Sequence, residues 1–135
     1  SMADPNFSDL ARRAIAAPGW RWMPGMLITD DGAGVRLCWF DDQHMHGVAA
    51  DGCAWMRLRR DRERVPDLSD PATVGCLLAL VREAWSSPDL RVRRVGQRTL
   101  WEVERWDHAQ VRYVYVADGF SEADALVAAL EVSGG

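Results

Sequence analysis

Apolar residues recur at helical spacing near the start of the chain, where Phe7, Leu10, Ala11, Ala14 and Ile15 share one face. Ser8 is a good N-cap, so the pattern predicts a helix over residues 9–17, stopped by Pro18-Gly19. The pattern then shortens to strand-like runs. Leu27-Ile28-Thr29 and Val35 to Phe40, separated by Asp30-Asp31-Gly32-Ala33-Gly34, read as a hairpin. Residues 41–52 are polar and take no element. Residues 53–58 read as a third strand, and Arg57 to Arg64 as a mixed charge run on a solvated loop or strand edge. The clearest signal follows. Asp70 caps and Pro71 opens a helix with Val74, Leu77, Leu78, Val81 and Trp85 on one face, ending at Ser86-Ser87-Pro88. Gly75 in its first turns is unfavourable there and predicts the close approach of a neighbouring element. Residues 91–95, 99–106 and 111–116 read as strands, with turns at Gly96-Gln97 and Asp107-His108-Ala109-Gln110. A last helix begins after Ser121, with Asp124 in the capping-box position and Leu126, Ala129 and Leu130 facing inward. This order predicts an α+β fold: an antiparallel sheet of about five to six strands with three helices, the central one starting near Pro71.

At 135 residues the chain fits one α+β domain over 1–135, with Ser1 before Met2 read as a remnant of tag removal. Nothing resembles a signal peptide, and no apolar run reaches the roughly 20 residues of a membrane span. The three cysteines (Cys38, Cys53 and Cys76) have no C-x-x-C spacing, which points to a reducing compartment and a cytoplasmic location. All 16 basic residues are arginine. The missing lysine excludes a P-loop NTPase, Schiff-base catalysis and a protein-kinase site. A net charge of −4 disfavours general nucleic-acid binding, although local arginine clusters could hold a phosphate.

Two segments carry a resemblance. Trp20 to Met26 (W-R-W-M-P-G-M) and Pro66 to Glu83 (P-D-L-S-D-P-A-T-V-G-C-L-L-A-L-V-R-E) resemble a group of small bacteriophage and prophage proteins. The stretch from Val116 to Ala123 is similar to their C-terminal parts. The resemblance implies a phage source and action in the host bacterial cytoplasm. It assigns no catalytic residue.

Three constellations could carry chemistry. Trp20 and Trp22 at i, i+2 project to one side of an extended segment and could sandwich a base, with Met26 nearby and Arg21 or Arg36 on a phosphate; the competing reading is that the tryptophans only pack on the core. Asp67 is not explained by capping and joins them as a candidate ligand contact, whereas Asp70 acts as the cap. His44 and His46 share one strand face and, with Asp42, could hold a metal, although Val48 and Ala49 stand where a metallo-hydrolase pattern needs Asp and His. Cys76 reads as buried and inert, and the Glu102/Glu104 pair as a solvated face.

These features predict a phage-encoded, non-enzymatic, cofactor-free binding protein. It would sequester a small anionic nucleotide-type signal or bind a host protein, evading anti-phage defence, and self-association is compatible with that role. The alternatives are a metal-dependent hydrolase using His44 and His46, and a structural or adaptor protein in phage replication or assembly.

Overall fold

A computed structural model describes residues 5–30, 33–52, 54–97 and 99–133. The element order is α1 (Pro5–Ala16), β1 (Leu27–Asp30), β2 (Ala33–Phe40), β3 (His44–Ala49), β4 (Trp55–Arg59), β5 (Val65–Pro66), α2 (Pro71–Ala84), β6 (Arg91–Val95), β7 (Leu100–Asp107), β8 (Arg112–Gly119) and α3 (Glu122–Val132). The fold is mixed α+β with antiparallel strands, as expected, and α2 starts at Pro71. The strands divide between two sheets, of five and three strands, because β6, β7 and β8 are joined by short turns and pair with one another. The chain forms two compact units: one from residues up to Arg12 and Trp22–Cys76, the other from Arg13–Arg21 and the residues after Cys76.

The first unit is built on a sheet of order β4-β3-β2-β1-β5. One face carries Ile28, Val35, Leu37, Met45 and Leu58, all buried, with Trp22, Phe40 and Met56 packed against them. Two local features set this face. A bulge at Cys38 shifts the register between Leu37 and Trp39, so Phe40 rather than Trp39 turns inward. Gly47 lies where β2 passes so close that a Cβ would collide with the carbonyl of Arg36. That glycine also explains why β3 escaped the hydrophobic pattern: the inward row reads Met45, Gly47, Ala49, with one large apolar residue. The hairpin turn at Asp31-Gly32 and the start of the predicted third strand at Cys53 lie outside the described residues.

The segment before β1 is fastened to β2. Gly25, at φ +100°, donates its N–H to Leu37 O (2.7 Å), and Leu37 N–H donates to Met26 O (2.8 Å). The start of α2 is fastened too. Asp70 accepts the Thr73 N–H at 2.9 Å as an N-cap, and Thr73 Oγ1 accepts the Leu27 N–H at 2.8 Å.

Two helix readings shift. α1 begins at Pro5, four residues before the predicted start, because proline suits a first turn whose N–H groups have no helical partner. The buried positions of α2 are Thr73, Leu77, Leu80 and Val81, with Leu78 half-buried, so the apolar stripe is rotated from the predicted one. Gly75 is exposed and nothing lies within 4 Å of the position a Cβ would take, so no neighbour requires it.

In the second unit α3 buries Ala123, Ala125, Leu126, Val127, Ala129 and Leu130, and Ser121 Oγ accepts the Asp124 N–H at 3.1 Å as the capping box predicts. Trp85 Nε1–H donates to Ala129 O at 2.9 Å. Glu104 is not on a solvated face: it is 8% exposed, and the Nε–H groups of Arg91 and Arg93 both donate to its Oε1 at 2.9 Å. Burial alone would raise its pKa, but these arginines outweigh that and hold it below the usual value.

Candidate ligand-binding face

The face of the first sheet opposite its core carries a different chemistry. Cross-strand partners share a face, and β4, β3 and β2 align in rows. Trp55 stands opposite Val48, Arg57 opposite His46, which in turn faces Trp39, and Arg59 opposite His44. The alternation along β4 therefore puts Trp55, Arg57 and Arg59 in line on the solvent side, while Met56 and Leu58 point to the core. Trp39 and Trp55 are 49% and 58% exposed, unusual for a side chain that gains so much from burial.

Trp39 is held rather than loose. Its ring stacks on His46 with centroids 3.7 Å apart and planes 6° from parallel, and His46 beneath it is buried. The Trp39 side chain nevertheless stays about half exposed. His46 Nε2 lies 3.4 Å from Asp41 Oδ2, while Asp41 Oδ1 accepts the N–H groups of Gln43 (2.9 Å) and His44 (2.7 Å). Those two backbone hydrogen bonds, with the His46 contact added, lower the Asp41 pKa to about 2. Asp41 thus fixes the turn from which β3 departs.

Beside this stack a cavity of about 620 Å³ is lined by Asp42, Gln43, His44, Arg57, Arg59, Arg60 and Asp61. Arg59 pairs with Asp61 at 2.8 Å, both well exposed. Arg60 donates to Asp41 O at 2.8 Å, and its guanidinium lies 5.0 Å over the Phe40 ring. Arg57 makes no hydrogen bond or ion pair with a described residue. A guanidinium without a partner among the described residues, between an exposed indole and two further arginines, is suited to an anion attached to a planar ring.

The residues that the sequence singled out are placed differently. Met26 is fully buried, and Trp22 packs against the first core. Arg36 is engaged by Asp70 through two bonds, 2.6 and 3.0 Å, and also donates to Gly25 O at 2.9 Å. Trp22 and Met26 thus serve the core, and Arg36 anchors the start of α2. Asp67 forms a local turn in which its Oδ1 accepts the Ser69 N–H at 2.9 Å. Trp20 and Arg21 belong to the second unit, where Arg21 forms a surface ion pair with Glu83 at 2.6 Å. His44 and His46 share a face with ring centroids 6.1 Å apart, but no group of three His, Cys, Asp or Glu side chains among the described residues is placed to share a metal ion. Cys76 is partly exposed, not sealed: its Sγ–H points to Pro24 O at 3.6 Å, and burial pushes its thiol pKa up.

The residues missed were Trp39, Trp55, Arg57 and Arg59. For Trp55, Arg57 and Arg59 the signal was the period-two run Trp55-x-Arg57-x-Arg59, which reads as a charge run unless its alternation is counted; Trp39 lies outside it.

No family model, curated protein or solved structure matches this chain. No helix among the described residues is long and apolar enough to cross a membrane.

Proposed function

We propose that this chain is a non-enzymatic, phage-encoded binding protein that takes up an anionic ligand of nucleotide type on the β2–β4 face and so serves in evading host defence. The observation that carries the reading is Arg57, without a partner among the described residues, in line with exposed Trp55 and beside the Arg59–Arg60 cleft. Arg57, Arg59 and Arg60 donate hydrogen bonds and Trp39 and Trp55 offer ring faces, which is the chemistry of holding a phosphate and a base, while Asp42 and Asp61 border the same cleft. The resemblance of two segments to small phage proteins supports the biological setting. Isothermal titration with pyrophosphate and with mononucleotides tests it. Binding is expected to fall tenfold or more in Arg57→Gln, a loss of about 1.4 kcal/mol or more, in line with one charge-assisted contact. Equal binding by wild type and Arg57→Gln would remove the reading.

A host protein surface is the second reading, favoured by the same exposed tryptophans and arginines, residue types that dominate interface hot spots. Copurification of one host protein that is lost in Trp55→Ala, with no heat from any nucleotide, would decide for it.

A further inference from the structure

The proposed ligand face has a shape that narrows what it can hold. Sheet geometry sets the Cα atoms of Trp39 and Trp55 roughly 12 Å apart, two strand spacings across and one two-residue step along. A single planar ring cannot lie on both. Arg57 ends the row Trp39–His46–Arg57 on β4, with His46 between it and Trp39, and stands one step from Trp55 on the same strand. The surface is also open, with both indoles about half exposed, whereas sites for single small molecules typically enclose most of their ligand. From this arrangement we infer that the ligand is a short, linear, single-stranded oligonucleotide of about two to three nucleotides, its successive bases stacked on Trp39 and Trp55 and its linking phosphate on Arg57.

The inference rests on the reading of this face as a nucleotide site and adds the number and connection of the bases. Three further features fit it. The Trp39 ring is held in place by stacking on His46 at 3.7 Å, and the side chain stays about half exposed. Arg59 and His44 form the next row along β4 and β3, and Arg59, paired with Asp61, borders the cleft where the next phosphate would lie. A paired duplex hides the ring faces that the indoles would use, and the net charge of −4 opposes a long polyanion, so the basic stripe suits a short strand.

The test is titration calorimetry on the whole chain with pyrophosphate, thymidine monophosphate and the thymidine tetranucleotide, with circular dichroism confirming that each variant folds. Affinity is expected to rise at least tenfold from mononucleotide to tetranucleotide. Trp39→Ala and Trp55→Ala should each weaken the tetranucleotide by roughly 5- to 150-fold, the range for losing one stacked base, while leaving pyrophosphate binding unchanged. Trp55→Phe should retain most of the affinity and Trp55→Leu should lose it, which separates stacking from simple apolar contact. A mononucleotide as tight as the tetranucleotide, or wild-type tetranucleotide affinity in both alanine variants, overturns the inference. The anion-site reading survives that result if pyrophosphate still binds and Arg57→Gln abolishes it. Absence of binding by all three ligands overturns both.

Discussion

The carboxylate of Asp70 joins three parts of the first unit, and replacing it by asparagine isolates its charge. Asparagine is also a good N-cap, so Asp70→Asn keeps the acceptor for the Thr73 N–H while removing the negative partner of Arg36. The Asp70 side chain is 13% exposed and its pKa is lowered from 3.8 to about 2, first by the Arg36 hydrogen bonds and then by those from Thr73, against the opposing effect of burial. A shift of that size corresponds to about 2 kcal/mol. Arg36 is 39% exposed, so solvent screens the pair and the expected cost at pH 7 is about 1–2 kcal/mol. Because the folded-state pKa is the lower one, this stabilisation is complete above the unfolded value near 3.8 and is lost as pH falls toward 2. Urea unfolding followed by tryptophan fluorescence at pH 7, 5, 3 and 2 should therefore show a gap between wild type and Asp70→Asn that closes below pH 4. A variant within about 0.5 kcal/mol of wild type at pH 7, or a gap unchanged down to pH 2, would refute the assignment.

Two glycines make opposite predictions. Gly47→Ala forces a Cβ against the Arg36 carbonyl and should destabilise the chain by about 2 kcal/mol or more, seen as a lower urea midpoint. Gly75→Ala meets open space on an exposed helical position and should stabilise by about 0.5–1 kcal/mol in the same assay.

Much of the fold was legible because caps, proline and turn residues act locally. Asp70-Pro71 set the start of α2, and Ser121 with Asp124 set the start of α3. The sheet hairpins from β6 to β8 followed from alternation and short turns. What was illegible depends on contacts distant in sequence. Gly47 blanks the inward row of β3, and only the proximity of the Arg36 backbone shows why. Arg36 and Asp70, thirty-four positions apart, read separately as a phosphate contact and a cap, yet they hold each other. The Trp20–Met26 segment looked like a ligand surface because it is rich in aromatic residues. Composition could not show that Trp22 and Met26 are used in closing the core, or that the exposed indoles would be Trp39 and Trp55.

The bulge at Cys38 has a consequence for the chemistry of the surface. Trp39 and Phe40 are adjacent, bulky and both at home in a strand, so neither ring has an intrinsic claim to the wet side. Counted in strict alternation from Leu37, the indole would go in and the phenyl out; one surplus residue reverses the parity, and the structure follows the reversed count. Whether solvent sees a broad ring with an N–H donor or a plain hydrocarbon disc is thus decided by arithmetic along the backbone rather than by the preference of either side chain.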